Sequence, residues 1–214
     1  NDGLTDTGDF ITYASVNLTS SATDNVNVYQ MRFSNDNAAW SAWEAYNTTR
    51  PSAWDMTSAT YGGANTDGTK TVYVQYRDNA GNYASTSDTI FLDRVNPTAD
   101  AGTALLYYNT ATALNGTSID DTNGADDSGV ESRLWTHVGG TGSGTVTFSD
   151  AAIDDPTFST ATGGADDGTY NLQFWVRDNA GRTATDTATI HWDTTNPTAG
   201  AGADMLLGPN SYAP

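Results

Sequence analysis

The segment Tyr76-Arg77-Asp78-Asn79-Ala80-Gly81-Asn82 returns one hundred residues later as Val176-Arg177-Asp178-Asn179-Ala180-Gly181-Arg182. The register holds in both directions. Gly63, Asp67, Gly68 and Thr69 answer to Gly163, Asp167, Gly168 and Thr169, and Thr89-Ile90, Asp93 and Asn96-Pro97-Thr98-Ala99 answer to Thr189-Ile190, Asp193 and Asn196-Pro197-Thr198-Ala199. A repeat of this length is a whole folding unit rather than one rung of a solenoid. The 214 residues therefore divide into two units, 1–95 and 96–195, each large enough to bury its own core. A remainder, 196–214, follows them.

The side chains available narrow the fold further. Of 26 acidic residues only Glu44 and Glu131 are glutamate, and Lys70 is the single lysine. Aspartate's short carboxylate bonds nearby backbone and favours turns over helix interiors. Strand alternation is clearest at Thr71–Arg77, with Val72, Val74 and Tyr76 on one face, and at Leu172, Phe174 and Val176 in the second unit. Further strands are expected at Phe10–Tyr13, Val16–Ser20, Val26–Phe33, Ser87–Asp93, Leu105–Tyr108, Ala113–Thr117 and Val130–His137. Many short strands separated by turns predict an all-β chain of two tandem Ig-like β-sandwiches, joined by a short proline-containing linker at Asp93–Thr98. Trp135 falls where a sandwich places its central core aromatic. In each Arg-Asp-Asn-Ala-Gly turn, aspartate is expected as a cap and glycine at a positive φ.

Charge excludes some functions. A net charge of -18 and a pI near 4.1 are opposite to the basic footprint of a nucleic-acid binder. No apolar run is long enough to span a membrane as a helix. The absence of cysteine fits a prokaryotic surface protein better than a disulfide-stapled eukaryotic one. With no visible signal peptide, the chain reads as a mature or excised piece of something longer.

Residues 10–95 resemble the bacterial and archaeal Ig-like repeats of large surface proteins. The resemblance is carried by Ala22-Thr23-Asp24-Asn25, Met31-Arg32-Phe33-Ser34-Asn35-Asp36, Trp40 with Trp43, and Thr69 through Asn82. Residues 97–193 resemble PKD-type modules through Pro97-Thr98-Ala99-Asp100-Ala101-Gly102, Gly116-Thr117-Ser118-Ile119-Asp120, Trp135, Asp155-Pro156-Thr157-Phe158 and Val176–Gly181. Their acidic loop is longer than the usual pattern. Both resemblances imply an Ig-like sandwich, an extracellular or cell-surface setting in a bacterium or archaeon, and a structural or adhesive role. Fold analogy is a weak warrant for function, so the sites need separate argument.

The stretch Asp120-Asp121-Thr122-Asn123-Gly124-Ala125-Asp126-Asp127 packs four carboxylates into eight residues. A hard cation such as calcium would relieve their repulsion. The PKD resemblance adds Ser118, with Asp120, as a calcium-binding segment near the domain entrance. The competing reading is a solvated acidic loop. Asp154-Asp155 and Asp166-Asp167 are weaker candidates. No catalytic residue is nominated: His137 and His191 lie on separate strands, and Gly140-Thr141-Gly142-Ser143-Gly144 lacks the order of a nucleophile elbow.

Trp40, Trp43 and Trp54 could form a sugar-stacking platform or serve as core packing. Asn17, Asn47 and Asn115 stand in glycosylation sequons. The tail Met205-Leu206-Leu207 resembles a first strand without a domain to complete it. It fits either the start of a third repeat in a longer chain or a donor strand that polymerises the protein with itself, head to tail. The expected role is the repeating unit of a surface filament, surface layer or adhesin stalk. Its expected partners are copies of itself or neighbouring repeats, and cell-surface glycans. The alternative is a carbohydrate-binding or spacer module of a large secreted polysaccharide-degrading enzyme.

Overall fold

The computed structural model describes residues 10–102, 105–120, 127–160 and 166–200. The first half contributes β1 (Phe10–Ile11), β2 (Ser15–Val16), β3 (Val28–Ser34), β4 (Glu44–Ala45), β5 (Trp54–Asp55), β6 (Gly68–Asp78) and β7 (Tyr83–Leu92). The second half contributes β8 (Thr98–Asp100), β9 (Leu105–Tyr108), β10 (Thr112–Ala113), β11 (Thr117–Ile119), β12 (Val130–Gly140), β13 (Thr147–Phe148), β14 (Thr157–Ser159), β15 (Gly168–Asp178) and β16 (Thr183–Trp192). The one helical element among the described residues is a single 3-10 turn, Ala59–Tyr61. The fold is all-β and Ig-like, as the turn-rich, aspartate-rich sequence predicts.

The first half builds a sheet in the order β1-β7-β6-β3-β4, faced by the β2-β5 pair. Met31 and Phe33 of β3 and Val74 and Tyr76 of β6 meet Trp54 of β5 and Met56 in one core. The second half builds β12-β15-β16-β9, with a second sheet β10-β14-β13 and a β11-β8 pair. Its core is separate. Tyr170, Leu172, Phe174 and Val176 point inward from alternate positions of β15, Trp135 stacks on Phe174 with ring centroids 4.6 Å apart, and Phe158 of β14 packs edge-on against Tyr170 and Trp192. Each such buried side chain contributes about 1.5–3 kcal/mol. The hairpins β6-β7 and β15-β16 carry the repeat, and Gly81 and Gly181 take φ of 90° and 86° at their tips.

Four of the expected strands are shortened or divided in the structure. The alternation through Val26 fails because Asp24 Oδ1 accepts the amides of both Val26 and Asn27, an Asx turn that holds them outside the ladder and leaves Val26 exposed. The expected strands at Phe10–Tyr13 and Val16–Ser20 shorten to β1 and β2, with one further bridge from Thr19 to Thr49. Ala113–Thr117 divides between β10 and β11, because Leu114 turns inward to the core and its amide bonds Pro156 O.

Candidate metal centre

Three aspartates from distant parts of the chain converge beside the linker. Asp93 follows β7, and its amide donates to Ile11 O, which fixes the end of the strand. Asp120 follows β11. Asp178 closes β15 and caps the turn into β16, where its amide donates to Arg182 O. Their relative exposures are 1%, 4% and 0%. One carboxylate oxygen from each can be chosen so that all lie within 4.8 Å of one another.

Each carboxylate spends one oxygen on local structure. Asp93 Oδ1 accepts the Val95 amide at 3.0 Å. Asp120 Oδ2 accepts the Ser128 hydroxyl at 3.0 Å and the Gly129 amide at 2.6 Å. Asp178 Oδ1 accepts the Arg182 amide at 2.7 Å. The second oxygens, Asp93 Oδ2, Asp120 Oδ1 and Asp178 Oδ2, are buried with no hydrogen-bond partner. Burial of one such oxygen is costly, and three in one place repel as well. Burial, then the neighbouring Asp127 side chain, and the charge of Asp93 push Asp120 up to about 7, although Ser128 and Gly129 oppose this. Burial, with Asp93 again adding, also raises Asp178.

A hard divalent cation would resolve this conflict. Calcium takes oxygen ligands about 2.3–2.6 Å away, so oxygens that share one ion lie no more than about 5 Å apart. Oxygens within that reach, an all-oxygen donor set and the orphaned lone pairs are compatible with calcium. The same residues also join the two halves of the chain. Arg182 Nε donates to Asp93 O at 3.3 Å and its Nη1 to Asn96 Oδ1 at 2.9 Å, and Pro97 is buried.

Of the residues the sequence nominates for calcium, Asp120 belongs to this cluster. Asp127 lies beside it, with Oδ1 accepting the Gly129 amide at 2.6 Å. Ser118 points elsewhere: its hydroxyl donates to Asp154 at 2.7 Å and accepts from Arg133 Nε at 2.6 Å. Asp121 and Asp126 lie outside the described residues, as do Met205, Leu206 and Leu207. Asp154 pairs with Arg133, and Asp167 accepts from Thr194 and Thr195, so neither joins a carboxylate cluster. Asn17, Asn47 and Asn115 are all exposed.

Sequence reasoning missed Asp93 and Asp178. Asp93 registers as a repeated boundary residue and Asp178 as a turn cap. The one available signal is the exchange of Asn82 for Arg182 four residues after otherwise identical aspartates. The tryptophans divide. Trp54 is a core residue stacked on Tyr61, whereas Trp40 and Trp43 stay partly exposed.

No family model and no curated protein matches the sequence. Solved structures do. A solution structure of the PKD domain of the KIAA 1837 protein aligns at 24% identity over 48% of this chain and 92% of that one, with a TM-score of 0.34. The protocadherin GammaB4 extracellular domain aligns at 13% identity over 87% of this chain with a TM-score of 0.38, and this chain spans 33% of its length. Human CDH23 EC21-23 aligns at 12% identity over 87% of this chain and 72% of that one, with a TM-score of 0.35. No helix among the described residues is long and apolar enough to cross a membrane.

Proposed function

We propose that this chain is a structural, non-enzymatic module of an extracellular assembly, in which calcium clamps two Ig-like units into one stiff rod. The units are residues 1–95 and 96–195. The observation that carries this reading is the trio of buried, unpartnered carboxylate oxygens on Asp93, Asp120 and Asp178, drawn from both sides of the linker. The three side chains hold the cation. Arg182 anchors the linker backbone, and the Asp67–Arg94 pair at 2.6 Å braces its start. An acidic, hydrated surface suits a cell-surface layer, filament or adhesin stalk of a bacterium or archaeon. Residues 196–214 then serve as the lead into a further repeat or as a donor strand for a neighbouring copy.

The test is calorimetric titration of the intact protein with calcium, coupled to small-angle scattering. One strong site and a narrower distribution of end-to-end distances on binding are expected. Unchanged affinity in Asp120→Asn and Asp178→Asn would overturn the clamp. Electron microscopy with and without chelator then asks whether assembly depends on the same ion.

A further inference from the structure

The outward face of the first unit's sheet carries a feature unrelated to the clamp. Its rungs follow from the register: Gln30 pairs with Arg77 and Arg77 with Tyr83, while Arg32 pairs with Gln75 and Gln75 with Ser85. Because Met31, Phe33, Val74 and Tyr76 point into the core, these neighbours point outward. The segment between β3 and β4 brings Trp40 and Trp43 onto the same face. The Arg32 guanidinium lies 4.9 Å from the Trp40 ring centre and 4.5 Å from that of Trp43, and the Arg77 guanidinium lies 4.2 Å from Trp43.

Both arginines are held by neutral groups. Arg32 Nε donates to Gln75 Oε1 at 2.8 Å, and Gln75, itself buried, donates onward to Ser85 at 3.1 Å. Arg77 donates through Nε and Nη2 to Gln30 Oε1. Neither has a carboxylate within ion-pair distance among the described residues. That is unusual in a chain with 26 acidic groups and only seven arginines. Arg50, Arg94, Arg133 and Arg177 each pair with a carboxylate, and Arg182 holds the linker. Stacking on indole uses none of a guanidinium's in-plane donors, and the terminal Nη1 and Nη2 end, which keeps N–H groups beyond those given to Gln75 and Gln30, can meet a carboxylate in two-point fashion.

We infer that Arg32, Arg77, Trp40 and Trp43 form a binding site for a carboxylated sugar, such as a uronic-acid unit of a glycan chain. The guanidinium forks take the carboxylate. Trp43 holds the two guanidinium groups in place, and the partly exposed Trp40 and the exposed Tyr83 offer flat apolar surface to the C–H face of the ring. The net charge of the protein repels a polyanion at long range, but screening within about 8 Å at physiological salt leaves contact charges in control. The positive charge selects an acidic sugar over a neutral one. The site stands on the first unit alone, so it survives failure of the calcium reading.

The experiment is calorimetric titration of the full chain, in chelator, with a galacturonate oligosaccharide. A neutral cello-oligosaccharide of equal length and an oligoglutamate peptide serve as comparisons. Saturable binding to the uronate, at least about tenfold weaker for the neutral sugar and the peptide, is expected. Arg32→Gln with Arg77→Gln should weaken uronate binding at least about tenfold in a protein that still unfolds cooperatively, with a somewhat lower thermal transition because Gln75 and Gln30 lose their donors. Trp40→Phe should weaken it less, because an aromatic face remains. The inference is overturned by no saturable uronate binding, by equal affinity for the neutral sugar, or by equal affinity for oligoglutamate. It is also overturned if sedimentation shows a dimer of the unliganded protein that the double variant dissociates, because the face would then be a contact between copies.

Discussion

Asp78 and Asp178 occupy one position in two copies of the same turn, and only Asp178 has an oxygen to spare. Asp78 Oδ1 accepts the Asn82 amide at 2.9 Å, and its Oδ2 accepts the Asn82 side-chain amide at 2.8 Å. Asp178 Oδ1 accepts the Arg182 amide in the same way, but Arg182 directs its side chain to the linker and leaves Oδ2 bare. The two carboxyl groups shift in opposite directions. Hydrogen bonds, first that of the Asn82 side chain, lower Asp78, while burial raises Asp178.

Asp178→Asn separates the clamp from the fold. Calcium at a hundredfold above its dissociation constant stabilises a folded protein by about 2.7 kcal/mol. The variant should lose most of that gain. In chelator it should melt no lower than wild type, since one of three buried like charges is gone. Thermal melts of both proteins, with and without calcium, measure the two effects.

Arg182→Asn should weaken calcium binding without touching a carboxylate. The new amide can take Asp178 Oδ2, as Asn82 takes that of Asp78, and the linker loses its bonds to Asp93 O and Asn96. A fall in affinity of about tenfold, about 1.4 kcal/mol, is expected by calorimetry. Scattering should also report a wider spread of interdomain angles.

Acidity works against the ion. Asp120 has a folded pKa of about 7, above the ordinary 3.8. Between those values the folded protein holds a proton that the unfolded chain has released. The stabilising contribution is therefore complete below about pH 4 and lost as pH rises through about 7. In chelator, the stability of wild type relative to Asp120→Asn should fall as pH rises across that window. Calcium affinity should rise across it, with proton release on binding. Calorimetry in buffers of different ionisation enthalpy counts the protons.

Gly116 tests the packing that places Asp120. An added Cβ there would lie 2.6 Å from Asp154 O and 2.7 Å from Trp135 Cζ2. Gly116→Ala should cost about 1–3 kcal/mol by overpacking. Denaturant unfolding followed by tryptophan fluorescence should show the loss in the second half's transition and leave the first half's in place.

The sequence carries the fold more openly than the site. Alternation at Val72, Val74 and Tyr76, and at Leu172, Phe174 and Val176, is local information, because side chains two apart share a face. Trp135 is legible for a related reason: a large aromatic in mid-strand needs a core to bury it. The carboxylate cluster depends on positions 93, 120 and 178 meeting through topology, which no local pattern reports. The run Asp120–Asp127 stands out in the sequence by charge density, yet what distinguishes Asp120 in the fold is burial. Trp40, Trp43 and Trp54 leave core packing and a surface platform both open in the sequence; Trp54 is core, whereas the outward register of Arg32 and Arg77 holds Trp40 and Trp43 partly exposed.

The exit from each half is built alike. Asp193 Oδ1 accepts the Thr195 amide at 3.0 Å as Asp93 accepts that of Val95, and Asp167 braces Thr194 as Asp67 braces Arg94. The partner differs, because an Asp78-type turn has already closed both its oxygens whereas an Asp178-type turn has one open. On the calcium reading, stiffness at this joint is a property of the follower: the first unit ends by offering Asp93, and it is the open oxygen of the second unit's hairpin, at Asp178, that takes up the offer.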